Sequence, residues 1–151
     1  MTRVDFYLLP VSEPHGRLTF ACRLVERVFT EGHHIYVHAS STEQVLQLDE
    51  MLWSFRAESF VPHHALAEGN PEDAAAVTIG CGDDPGAHHD VLINLDQRIP
   101  PFFSRFQRVA EIVLNDAEQR NASRERWRYY RDRGYALEHH DMQHLRSTGA
   151  R

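Results

Sequence analysis

The chain of 151 residues contains no lysine, and all sixteen of its basic residues are arginine. That absence excludes a P-loop lysine, a Schiff-base lysine and a lysine general base together. Cysteine is almost as scarce, with Cys22 and Cys81 the whole complement. Cys22 falls among apolar helix positions and reads as a reduced core thiol, which points to a cytoplasmic protein. No apolar run approaches the ~20 residues of a membrane span. The first ten residues lack the long apolar core of a signal peptide and read as a first strand. Neither a Gly-x-Ser-x-Gly sequence nor a cysteine in a catalytic setting is present, so no catalytic residue is assigned and no active site is expected.

Two features invite chemistry and do not sustain it. The loop Gly80-Cys-Gly-Asp-Asp-Pro-Gly86 follows a strand, as a phosphate loop does, but no helix follows it. Asp83 and Asp84 would repel an anion, so a surface turn is the reading. Eleven histidines include the adjacent pairs 33/34, 63/64, 88/89 and 139/140, yet neighbouring side chains point apart on most backbones. Only His140 and His144, with Asp141 beside them, could share a helix face. They lie beyond Gly134 in a tail read as polar and frayed, and neither metal nor cofactor is expected.

What is present is an ordinary globular balance, 42% hydrophobic and 25% charged, in a length suited to one domain. Val4 to Leu9 forms an apolar strand-like run. Leu18, Ala21, Cys22, Val25, Val28 and Phe29 follow helical spacing up to Gly32. His34 to His38 is a second strand. Ser41-Thr-Glu-Gln44 opens a helix carrying Val45, Leu48, Met51 and Leu52. Strand, helix, strand, helix at these lengths points to βαβ units on a mainly parallel sheet. Residues 56–75 read as a long connection. Val77 to Gly80, Val91 to Leu95 and Val109 to Leu114 are further strands, giving about five. The short link between 80 and 91 leaves one of its two strands open to an antiparallel course. Asn115-x-x-Glu118 is read as the cap of a last helix ending at Gly134.

The formal charge is −6, which argues against general adhesion to nucleic acid. Six arginines nevertheless cluster between Arg120 and Arg133. At 100° per residue with Arg124 at zero, Trp127 falls at about 300°, Arg120 at about 320°, Arg131 at about 340° and Arg128 at about 40°. Glu118, Glu125 and Asp132 form a separate acidic stripe. One reading is a solvated helix face with Trp127 turned into the core. Another is a peptide site, where guanidinium forks meet carboxylates and an aromatic wall takes an apolar side chain. A third is a grip on single-stranded nucleic acid, opposed by the net charge. A nucleotide-using enzyme on a Rossmann-like sheet is the weakest, with neither lysine nor a glycine phosphate loop.

Phe6-Tyr-Leu-Leu9, Leu48-Asp-Glu-Met-Leu-Trp53, Glu58-Ser-Phe-Val-Pro-His63, Val91-Leu-Ile-Asn-Leu95 and Arg124-Glu-Arg-Trp-Arg-Tyr-Tyr-Arg131 followed by Gly134 resemble the chi subunit family of bacterial DNA polymerase III, in order and with matching spacing. The resemblance implies one three-layer α/β/α domain over residues 1–137, Rossmann-like without a phosphate loop, and a polar tail over 138–151. It implies a non-catalytic accessory subunit that links the clamp loader, through the psi subunit, to single-stranded DNA-binding protein. DNA itself is then met mainly indirectly, direct binding of single-stranded DNA being the alternative. The acidic tail of that partner, ending in a hydrophobic residue, maps by position to Val113, Arg120, Arg124, Trp127 and Arg128. Family members often carry Lys at the Arg120 position and Tyr at the Trp127 position. The psi-facing surface maps to the segment of Phe60, with Trp53 near it, and some members meet a helicase there. Core packing is the competing reading for both aromatic residues, more strongly for Trp53.

Overall fold

Val4 and Phe6 point to one face of the first strand, Asp5 and Tyr7 to the other, and all four are buried. A strand covered on both faces belongs inside a parallel sheet with layers on each side. The computed structural model describes residues 2–54, 63–65, 76–86 and 88–142, with the side chains of residues 53, 54 and 63–65 outside the description. The order is β1 (Arg3–Leu8), α1 (Pro14–Thr30), β2 (Ile35–His38), α2 (Thr42–Ser54), β3 (His63–Ala65), β4 (Val77–Gly80), β5 (Val91–Asn94), β6 (Arg108–Val113), α3 (Ala117–Asp132) and β7 (Ala136–Asp141), with a short 3-10 turn at Phe103–Arg105.

These strands form one sheet in the order β3-β4-β2-β5-β6-β1-β7, and every neighbouring pair is parallel. One face carries α1 and α2 over Tyr7, Ile35, Val37, Ile79, Ile93 and Ile112. The other packs α3 and the Phe102–Phe106 turn over Val4, Phe6, Tyr36, Leu92 and Val109. The three-layer α/β/α fold with a parallel centre is therefore the one expected.

Several details differ from the sequence reading. Neither β4 nor β5 runs antiparallel; both pair with β2, which lies between them. A helix is dispensable there, because stepping over one strand spans only ~10 Å and residues 81–90 can reach roughly three times that. Among the described residues the sheet has seven strands rather than about five. The added ones are β3, inside the stretch read as a connection, and β7, inside the tail read as frayed. β7 escaped notice because its residues are mostly exposed and polar, with no apolar alternation. Helix α3 is capped by Asp116, whose carboxylate accepts the Gln119 N–H at 2.9 Å. Asn115 instead donates its side-chain amide to the Pro10 carbonyl. The Ser41 hydroxyl does cap α2, accepting from the Gln44 N–H, while the Gln44 side chain reaches back to the Ser40 N–H.

Helix α1 starts on Pro14, whose missing N–H is one of the unsatisfied first-turn donors anyway. It buries Leu18, Ala21, Cys22, Val25 and Val28, and burial pushes the Cys22 thiol up to about 12, so it stays a protonated core group. Two residues past the end of α3 stands Gly134, with φ +82°. Its N–H donates to the Arg131 carbonyl and the Tyr135 N–H to the Tyr130 carbonyl, a Schellman ending that redirects the chain into β7.

The inward stripe of α3 is Ser123, Arg126 and Tyr130. Arg126 donates from Nε to Glu111 Oε1 at 3.0 Å and from a terminal nitrogen to the Gln97 carbonyl. Tyr130 donates its hydroxyl to Glu111 Oε2 at 2.8 Å, and the Asn94 amide reaches the same carboxylate. Burial pushes Glu111 above the usual carboxylate value while Arg126, Asn94 and Tyr130 pull it back. Removing Arg126 alone leaves a fully buried carboxylate without its counter-charge, so Arg126→Met is expected to cost about 3–5 kcal/mol. The paired change Glu111→Leu with Arg126→Met should cost much less. Urea unfolding measures both, and a loss below about 1 kcal/mol for Arg126→Met, the scale of exposed pairs, would show that the network does not hold α3.

Candidate functional site

With Arg126 and Tyr130 fixed inward, the rest of α3 is placed by its 100° repeat. Trp127, Arg120 and Arg124 flank the inward stripe on the side facing β7. Together with β1, β6 and β7 they enclose a groove of about 470 Å³ at the C-terminal ends of those strands. Its floor is apolar: Phe6, Leu8 and Leu9 from the first strand and its exit, Val113 and Leu114 from the end of β6. Arg120, Ser123, Arg124 and Trp127 form the helix wall, and His139 and Asp141 of β7 the opposite one.

Trp127 is half-buried and packs edge-on, with its ring 5.2 Å from Phe6 and 6.1 Å from His139. It is thus neither a wholly internal residue nor a free one. Arg124 is exposed and donates to Asn121 Oδ1 at 2.9 Å, one turn back on the helix. The exposed Arg120 guanidinium has no hydrogen-bond or ion-pair partner among the described residues. Two guanidiniums beside an apolar trough suit a ligand that presents carboxylates next to a hydrophobic group.

Of the five residues that the resemblance pointed to, Val113, Arg120, Arg124 and Trp127 meet in this groove, while Arg128 is not among its lining residues. The reason is angular: at about 40° Arg128 lies farthest from the inward stripe of the arc. Arg131 is exposed and pairs with Asp132 at 3.3 Å. Arg133 leaves the groove altogether and stacks over Tyr129, 3.5 Å from its ring centroid. Of the psi-facing pair, Trp53 lies in α2 with its side chain outside the described residues, and Phe60 lies outside them entirely. His139, Asp141, Phe6 and Leu8 were missed by sequence reasoning. The signal for the last two is their spacing by two in β1, which puts them on the same face. For β7 there is no apolar signal.

The histidines are spread over separate contacts. His33 lies 3.0 Å from Asp90, His88 2.7 Å from the Thr78 hydroxyl, and His38 3.6 Å from Asp96. Within the 139/140 pair the rings go to opposite faces of the sheet: His139 to Trp127, His140 to a stack on Tyr7. Among the described residues, Asp5, Glu138 and His140 come together as a metal set would. Asp5 is buried, however, and already meets Arg3 at 3.2 Å and Arg108 at 3.4 Å, two cations that oppose a third. His144 lies outside the described residues.

The class so defined is an α/β module whose parallel three-layer domain carries an arginine-rimmed, apolar-floored groove. Residues 1–138 match the family described as DNA polymerase III chi subunit, HolC. The chain is 46% identical over 142 residues to the DNA polymerase III subunit chi of Pseudomonas aeruginosa, covering 94% of this chain and 98% of that one. Against the subunit chi of Haemophilus influenzae the identity is 30%, covering 88% and 92%. Against that of Escherichia coli it is 30%, covering 91% and 96%. The chain belongs to the DNA polymerase III chi subunit family, and its place is in DNA replication. No helix among the described residues is long and apolar enough to cross a membrane.

The electrostatics of the groove can be read from Trp127. In a Trp53→Phe background it is the only indole, and with each ion normalised to its quenching of free N-acetyltryptophanamide, iodide should quench its fluorescence more than caesium does, because anions collect beside Arg120 and Arg124. The net charge of −6 predicts the reverse order for an average surface site. Caesium quenching equal to or above iodide would remove the arginine rim as the dominant local field.

Proposed function

We propose that the groove receives the acidic C-terminal tail of single-stranded DNA-binding protein. In this reading the tail's terminal hydrophobic side chain lies on Phe6, Val113 and Trp127, and its carboxylates face Arg120 and Arg124. The domain then works as a non-catalytic accessory subunit, an adaptor between that tail and the clamp loader. The psi subunit engages the surface of Trp53 and Phe60. Contact with DNA is mainly indirect. Arg128, outside the groove lining, contributes only longer-range attraction.

The observation that carries this reading is the conjunction of an apolar floor with two guanidiniums on one wall. Either feature alone is common. Together they match a free carboxylate beside a hydrophobic side chain, since guanidinium forks bind carboxylates bidentately. The acidic stripe of Glu118 and Glu125 beside them, and the overall charge of −6, oppose a continuous phosphate backbone.

Calorimetry with a tail peptide of acidic residues ending in a hydrophobic residue tests the proposal. Binding is expected to the intact chain, and Arg124→Ala should weaken it by about 1.5–3 kcal/mol, the range of hydrogen bonds to charged groups. A single-stranded oligonucleotide should bind far more weakly. An unchanged affinity in Arg124→Ala would refute the assignment of the groove, and tight, steeply salt-dependent oligonucleotide binding would favour direct recognition of DNA.

A further inference from the structure

The parallel register carries the groove one strand beyond β1. Phe6 stands beside His139 of β7, and Leu8 stands between Asp141 of β7 and Val113 of β6. Register partners on neighbouring strands share a face, so His139 prolongs the row of Phe6 towards the outer edge of the sheet. Trp127 lies over that row. Its ring is 5.2 Å from Phe6 at 61° and 6.1 Å from His139 at 68°. Indole and imidazole therefore touch at a steep angle, with no slot between them, and form a corner with Phe6 at its base. The corner is open to a ligand: His139 is exposed, Trp127 is only half-buried, and both line the groove.

We propose that His139 is a specificity-determining residue of the groove, its imidazole ring forming the outer wall of the subsite that holds the ligand's terminal hydrophobic group. This inference rests on the acidic-tail reading of the groove and adds a residue to it. The part played by His139 is that of a ring, not of a charge; Arg120 and Arg124 remain the groups that face carboxylates. Aromatic rings favour edge-to-face and offset contacts with centroids about 4.5–7 Å apart. A flat side chain entering the corner can lie against one ring and present its edge to the other. An aliphatic side chain fills the same space without that geometry. The wall is also held from behind. On the reverse face of β7, Glu138 meets Arg3 at 2.9 Å and His140 meets Asp5 at 3.1 Å, with its ring stacked on Tyr7. Alternation along the strand then directs His139 to the groove.

The test is calorimetry on the full chain with synthetic peptides of several acidic residues ending in either Phe or Leu. For the Phe-terminated peptide, His139→Ala and His139→Gln should each bind about three- to tenfold more weakly than wild type, the scale of one aromatic contact. His139→Phe, which keeps a ring, should bind within about twofold of wild type. With the Leu-terminated peptide the loss in His139→Ala should shrink to under about twofold, because the edge-to-face contact needs a ring on both sides. Arg124→Ala should weaken both peptides alike. Intermolecular nuclear Overhauser contacts should join the ring C–H protons of His139 to the terminal side chain of the bound Phe peptide. Full affinity in His139→Ala, equal losses with the two peptides, or absence of those contacts would overturn the role of His139. A loss in Arg124→Ala in the same experiment would then leave the acidic-tail reading standing. Failure of wild type to bind either peptide would overturn both.

Discussion

The arrangement of the last helix depends on one buried carboxylate. Glu111 lies in β6 with no solvent contact, and three donors from β5 and α3 make four hydrogen bonds to it. A charge taken so far from water is destabilising unless paired and hydrogen-bonded. Its partners are therefore constrained in direction as well as in kind. Arg126 and Tyr130, four positions apart, must face the sheet. Once they do, the helical repeat leaves no freedom for Trp127, Arg120 and Arg124, which flank them. The geometry of the groove is thus set by a polar interaction that takes no part in its lining. Tyr130 serves this well, because burial pushes its hydroxyl up and keeps it a donor.

The use of arginine throughout suits this design. The same side chain answers two opposite requirements in α3. At Arg126 it is buried and fans its nitrogens between a carboxylate and a backbone carbonyl, a task for a planar, weakly hydrated group. At Arg120 and Arg124 it stands exposed at a groove, where a planar fork can meet a carboxylate in two bonds. A lysine could supply the charge at the rim but not the fan at the core. Sequence alone does not separate these uses. Six arginines between residues 120 and 133 look alike until the inward stripe is known.

How much of the fold could be read from the residues follows from how each element is stabilised. Strands β1, β2, β4, β5 and β6 bury both faces and appear as largely apolar runs, interrupted by Asp5 in β1 and Glu111 in β6. Helix α1 has an apolar stripe that its burial reproduces closely, from Leu18 to Val28. Elements held by other means were hidden. β7 is placed by backbone pairing with β1 and by polar side chains, so no hydrophobic pattern marks it. The Asp116 cap sits one residue after Asn115, and both types cap helices, but only the Asn115 amide can donate to the Pro10 carbonyl, which leaves the cap to Asp116. For the groove, the arginines and Trp127 were legible as a helix arc. Its floor comes from the end of β6 and from β1, more than a hundred residues away in sequence, and its far wall from β7, and their meeting required the sheet order.

The far wall raises a last point of mechanics. β7 is an edge strand, and edges that are polar and charged resist pairing with other chains. Its two faces carry different duties. Glu138 and His140 bind it down onto Arg3 and Asp5, and His140 stacks on Tyr7 at 4.8 Å. His139 and Asp141 on the other face line the groove. Alternation along the strand therefore couples attachment to lining: whatever loosens the Asp5 cluster moves the groove wall with it. Asp5 accepts from two arginines and a histidine while almost wholly buried. The outer strand thus hangs on a second buried carboxylate, as α3 hangs on Glu111. The groove lies between two elements, each fastened by a charge inside the protein, and those two attachments set where its opposite walls stand.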